Sequence, residues 1–104
     1  MPKNGVFNIL IVDDSAAIVQ YLKYIVSKRP QFSAVGVYTA EDAIFQVEME
    51  SPDIVLLDLN LPGMSGLSAC KIIKEKHPTL PVIAITGELD PENRFLAYQA
   101  GACD

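Results

Sequence analysis

Asp58 closes the apolar run Asp53-Ile-Val-Leu-Leu57, and two further carboxylates, Asp13 and Asp14, close the run Asn8-Ile-Leu-Ile-Val12. A third run, Pro81-Val-Ile-Ala-Ile85, ends in the hydroxyl of Thr86. Strands buried on both faces read as continuous apolar runs. Side chains at their carboxyl ends lie on the rim where open parallel sheets place their sites. If the three strands are parallel and adjacent, three carboxylates and one hydroxyl converge there. Three like charges at one rim need a cation among them, and all-oxygen ligation suits Mg²⁺ or Mn²⁺.

The elements needed to hold such a rim are legible in the spacing. Strand-like and helix-like segments alternate, which indicates βαβ units and a parallel sheet. Strands are expected at Asn8–Val12, Ser33–Tyr38, Ile54–Asp58 and Val82–Thr86. Helices are expected at Ala16–Arg29, Ala40–Glu50, Gly66–Lys76 and Pro91–Ala100. Ser15 can cap the first helix, and Thr39 with Asp42 resembles a capping box with Asp in the place of Glu or Gln. Asp90-Pro91 pairs a capping carboxylate with a proline at the first helical position, and Gly101 reads as a C-cap. Pro30, Pro52 and Pro78 fall beyond helix ends and help stop them.

The first helix carries more apolar surface than one stripe requires. From Ala16 to Val26, only Gln20 and Lys23 are neither apolar nor tyrosine. Such a helix is expected to pack on the sheet and on a second partner.

Composition sets the frame. A chain of 104 residues supports a single domain, here residues 1–104. Its net charge of −5 argues against direct nucleic-acid binding, which takes clustered Lys and Arg. The lysines Lys71, Lys74 and Lys76 are spaced as a solvated helix face. No apolar run approaches the roughly 20 residues of a membrane span. Met1-Pro-Lys-Asn-Gly lacks the apolar segment of a signal peptide, so a cytoplasmic location is expected. Cys70 and Cys103 match no metal or redox spacing and read as reduced thiols. His77, ahead of Pro78 at a helix end, reads as a helix-terminal residue rather than a catalytic one. Met64 reads as loop packing.

The acidic constellation resembles the receiver domain of two-component response regulators, with a likeness to the chemotaxis regulators. The matching residues are Asp13-Asp14, Asp58, Thr86 and the loop Leu61-Pro62-Gly63-Met64-Ser65-Gly66. Taken singly, each has a plainer reading: a capping carboxylate, a hydroxyl bonded to backbone, an ordinary Pro-Gly turn. Together, in order and at successive strand ends, they are specific. The resemblance implies a flavodoxin-like doubly wound sheet of strand order 2-1-3-4. It implies that Asp58 is the phosphoacceptor for a histidine kinase or phosphotransfer protein. Asp14 and Asp58 would bind Mg²⁺ directly, Asp13 largely through water, and the Asn60 backbone carbonyl would add a ligand. Thr86 would hydrogen-bond a phosphoryl oxygen, and Gly87 would leave the approach open.

The family pattern continues beyond Asp104 with a fifth strand bearing an aromatic residue, a lysine about four residues after Asp104, and a fifth helix. The chain is therefore expected to be a receiver domain lacking its last βα unit. Two expectations follow. One is a phosphoacceptor switch whose only chemistry is self-phosphorylation and self-dephosphorylation. The other is a non-switching interaction or assembly module with little phosphotransfer, because the lysine is absent. A homodimer through an exposed fourth strand and the first helix is also expected. A Mg²⁺ phosphohydrolase fits less well, because Asn60 stands where such enzymes usually carry a second aspartate.

Overall fold

The computed structural model describes residues 5–85. Four strands, β1 (Phe7–Val12), β2 (Phe32–Val37), β3 (Ile54–Asp58) and β4 (Val82–Ile85), alternate with helices α1 (Ala16–Ser27), α2 (Ala40–Glu50) and α3 (Gly66–Lys76). The strands form one parallel sheet in the order β2-β1-β3-β4. This is the doubly wound order, with β1 and β3 in the interior. The expected elements up to β4 are present with shifts of one or two residues. Helix α1 stops at Ser27 because Lys28 caps it, donating its backbone N–H to the Ile25 and Val26 carbonyls. The expected helix Pro91–Ala100, its flanking caps, Thr86, Gly87 and Cys103 lie outside the described residues.

Alternation along β1 sorts the core into two faces. Leu10 and Val12 join Val55, Leu57 and Val82 beneath Ala40, Ala43 and Val47 of α2 and Ala69, Cys70 and Ile73 of α3. Cys70 is buried, and Met64 packs on this cluster. On the other face α1 lies against β2 and β1. Gly36 permits that approach, since a Cβ there would overlap Val19 Cγ1. Val19 is the buried residue of α1 among those described. Ile18, Tyr21, Tyr24 and Ile25 are exposed, so the surplus apolar surface read from the sequence is present on the helix.

Local chemistry sets the helix ends. Ser15 Oγ accepts the Ile18 N–H at 3.3 Å, Thr39 Oγ1 the Asp42 N–H at 3.0 Å, and Ser65 Oγ the Ser68 N–H at 3.2 Å. Only the first two caps were expected. Helix α2 ends on Ser51 in the left-handed conformation (φ 46°) ahead of Pro52. Helix α3 ends at His77, and Lys74 Nζ donates to the Pro78 and Leu80 carbonyls at 2.9 and 2.8 Å. His77 pairs with Glu48 of α2 at 3.1 Å, which holds the Glu48 carboxyl below its usual range. It is a tie between helices, in line with its non-catalytic reading.

Candidate functional site

Register builds the site. Val12 pairs with Leu57 across β1 and β3, so Asp13 and Asp58 leave the sheet side by side. The Asp13 N–H donates to the Val37 carbonyl of β2 at 3.2 Å, which holds the strand end in the sheet one residue further. At the opposite end, Asp53 clamps β3 to β1: its Oδ2 accepts the Asn8 N–H at 2.7 Å and its own N–H donates to the Asn8 carbonyl at 2.8 Å. With both ends fixed, a slip that would separate the two aspartates is opposed by paired backbone groups as well as by the buried faces.

Asp13, Asp14 and Asp58 each present a carboxylate oxygen, and these oxygens lie within 4.8 Å of one another. The three differ in exposure. Asp13 is buried at 4% exposure, Asp58 is partly buried and Asp14 is exposed. Asp13 Oδ1 accepts the Ser15 N–H at 2.9 Å, and Asp58 Oδ1 accepts the Asn60 N–H at 2.9 Å. These short-range bonds fix two carboxylates from their own following loops. The Ser15 donor was not anticipated from the sequence, where Ser15 figured only as a helix cap; here its N–H serves Asp13 and its Oγ serves α1.

Among the described residues, like charges dominate the electrostatics of the cluster. The Asp13 carboxyl is raised above its ordinary value. Burial is the largest cause, and the neighbouring Asp58 and Asp14 charges and hydrogen bonding with Asp58 act the same way, against the Ser15 N–H. A hard divalent cation is the counter-charge this donor set fits, since every ligand atom offered is oxygen.

Asn60 opens a loop that runs to Ser65 and α3, with Gly63 at φ 76° supplying the turn after Pro62. The Gly66 N–H returns to the Leu59 carbonyl at 3.3 Å and closes this loop at its base. Asp58 pairs with Ile85 in β4, the last described residue before Thr86. The position of Thr86 relative to the carboxylates is outside the described residues. His77 and Glu48 join α2 to α3 at the far end of these helices, apart from the cluster.

Comparison with known proteins follows the same outline. The family model described as the response regulator receiver domain matches residues 9–104. The DNA-binding transcriptional regulator NtrC of Proteus hauseri is 38% identical over 97 residues, covering 93% of this chain and 20% of that protein. The alkaline phosphatase synthesis transcriptional regulatory protein PhoP of Bacillus subtilis is 30% identical over 96 residues, covering 92% of this chain and 40% of PhoP. The chain thus spans well under half the length of these curated relatives. Among solved structures, a CheY-like receiver domain protein from Methanospirillum hungatei superposes with a TM-score of 0.87 at 30% identity, over 93% of this chain and 77% of that one. The response regulator domain of Thermotoga maritima CheB gives 0.86 at 31% identity, over 95% and 75%.

Proposed function

This chain belongs to the response regulator receiver domain family, and from that premise we propose that Asp58 is its phosphoacceptor, with Asp13 and Asp14 completing a divalent-cation site. The observation that carries the reading is the meeting of three carboxylate oxygens within 4.8 Å at adjacent strand ends. Receiver domains of two-component systems accept a phosphoryl group on aspartate and work with Mg²⁺. Asp58 suits that role because it ends a central strand and opens the Asn60–Gly66 loop. Its partial burial leaves the carboxylate within reach of a donor.

In the proposed reaction an Asp58 carboxylate oxygen attacks the phosphorus of a phosphohistidine on a histidine kinase or phosphotransfer protein. The new O–P bond forms as the P–N bond breaks, and the imidazole leaves with its electron pair. The residues that would hold Mg²⁺ are Asp13, Asp14, Asp58 and the Asn60 backbone carbonyl. The bound cation supplies charge neutralisation for the carboxylates and for the transferring phosphoryl oxygens. The Ser15 and Asn60 N–H groups orient Asp13 and Asp58 before any donor arrives. Thr86 is assigned the phosphoryl contact that signals the modified state.

Acetyl phosphate tests the acceptor without a kinase, since Asp58 would displace acetate from phosphorus. Incubated with it and Mg²⁺, the wild-type chain is expected to gain one phosphoryl group, mapped by mass spectrometry to Asp58. Asp58→Asn should gain none, and label retained at the wild-type level in that variant would refute the assignment.

Self-pairing belongs to the same proposal. Support comes from the exposed Ile18, Tyr21 and Ile25 of α1. Sedimentation velocity over a concentration series is expected to show a monomer–dimer shift that Tyr21→Glu weakens. A concentration-independent monomer would remove the dimer from the reading.

A further inference from the structure

Gly66 sets the first turn of α3 directly on the backbone that carries Asp58. A Cβ at Gly66 would overlap the Asp58 carbonyl oxygen and would stand 2.6 Å from Leu59 Cα and 3.0 Å from the Asp58 carbonyl carbon. All three are backbone atoms, so no side-chain rotamer relieves the overlap. What the position requires is the absence of a side chain. It differs from Gly63, whose φ is 76° and whose surroundings are open.

Neither partner in this contact can retreat freely. Strand β3 is held on both sides, by Val12 against Leu57 and by Ile85 against Asp58. Helix α3 is held by Ala69, Cys70 and Ile73, each no more than 1% exposed. The loop between them is tied at one end by the Asn60 N–H to Asp58 Oδ1, at 2.9 Å, and at the other by the Gly66 N–H to the Leu59 carbonyl, at 3.3 Å. Any displacement at Gly66 therefore passes to the Asp58 carboxylate or to the Asn60 backbone.

We infer that Gly66 is a positioning residue: by letting α3 touch the Asp58 and Leu59 backbone, it fixes the Asp58 carboxylate in register with Asp13 and Asp14. The inference rests on the proposed role of Asp58 as acceptor and cation ligand. Substitution by the smallest side chain should move that carboxylate by a fraction of an ångström to an ångström while the remainder of the fold persists.

Gly66→Ala is compared with wild type and with Val47→Ala. Val47 is a core residue of α2 lining the other end of the sheet with Phe7, Asp53 and Pro81. All three chains are held at a temperature where circular dichroism shows them folded. Mg²⁺ affinity is read by calorimetry, and labelling by acetyl phosphate is read at saturating Mg²⁺. Gly66→Ala is expected to bind Mg²⁺ about tenfold more weakly and to label about 10- to 100-fold more slowly, the scale of an ångström's misplacement. Val47→Ala, though destabilised, should match wild type in both. A folded Gly66→Ala with wild-type affinity and rate overturns the inference. If Gly66→Ala is unfolded, the measurements are repeated in the cold with trimethylamine N-oxide, which favours the folded state. Failure to fold there also overturns it, leaving Gly66 a folding residue only. A wild-type chain that takes no label on Asp58 defeats the acceptor reading instead, and the Mg²⁺ affinities still decide the role of Gly66.

Discussion

Asp13→Asn is expected to raise the melting temperature in EDTA and to weaken the stabilisation that Mg²⁺ gives the wild-type chain. Asn keeps the Oδ1 that accepts the Ser15 N–H, so the local geometry survives while one charge is removed. With the carboxylate oxygens within 4.8 Å of one another, a like-charge pair costs at least about 1–3 kcal/mol at effective dielectric constants between roughly 80 and 20. Relief of that repulsion appears as stability in the metal-free protein. Wild type, by contrast, should gain about 2.7 kcal/mol at Mg²⁺ a hundredfold above its Kd, and Asp13→Asn less at the same Mg²⁺ concentration.

The pH dependence has a definite sign. The folded Asp13 carboxyl is raised above the ordinary value of 3.8. Its contribution is therefore fully present below that value and is lost as pH rises through the raised folded value. In EDTA this part of the wild-type stability should decline over that window, and Asp13→Asn should lack the decline. Cations compete with protons for the same oxygens, so Mg²⁺ stabilisation of wild type should grow over the same window. Thermal melts at several pH values, with and without Mg²⁺, decide the matter. An Asp13→Asn variant less stable than wild type in EDTA, or equally stabilised by Mg²⁺, would contradict the repulsion account.

Leu57→Ala is expected to cost about 2–5 kcal/mol, the range for removing a buried leucine side chain. Leu57 is fully buried and stands mid-sheet, paired with Val12 on one side and Ala84 on the other. Its side chain lies in the cluster beneath α2 and α3, where small residues such as Ala69 and Cys70 already bring α3 close. Little remains to collapse into the space without disturbing both helices. Against a whole-domain stability of about 5–15 kcal/mol, the loss should lower the melting temperature by roughly 10–30 °C. Phe45→Ala, on the exposed face of α2, should change stability by about 0.5 kcal/mol or less. If the two substitutions melt alike, the assignment of Leu57 to the load of the core is wrong.

Most of the described architecture was legible because its signals are local. The apolar runs Asn8–Val12 and Ile54–Leu57 are too short and too uniform for anything but strands between turn residues. Ser15, Thr39, Pro30, Pro52 and Pro78 mark helix limits through capping and backbone restrictions that act within a few residues. Where boundaries moved, tertiary hydrogen bonding decided. Phe7 joins β1 because its N–H finds the Gln31 carbonyl, at 2.8 Å, and its ring meets Phe32 edge-on, at 5.8 Å. The Ser65 cap went unread because it sits inside a loop whose Pro-Gly turn dominates the local pattern.

The candidate site divides the same way. Residue types and order alone identified Asp13, Asp14 and Asp58 as carboxylates at strand ends, because a buried apolar run that stops on an acid has few other readings. Adjacency is a different kind of fact. It depends on β1 pairing with β3 rather than only with its sequence neighbour β2, and on a register that sets Val12 against Leu57. Those pairings join residues some 45 positions apart, as the bond from Asn8 to Asp53 shows. No local preference specifies them; they follow from burying both faces of the sheet at once. The need for glycine at position 66 is likewise tertiary. In the sequence it reads only as the end of the Pro62-Gly63 loop and the start of a helix, and only the contact of α3 with the Asp58 backbone shows that a Cβ has no room there.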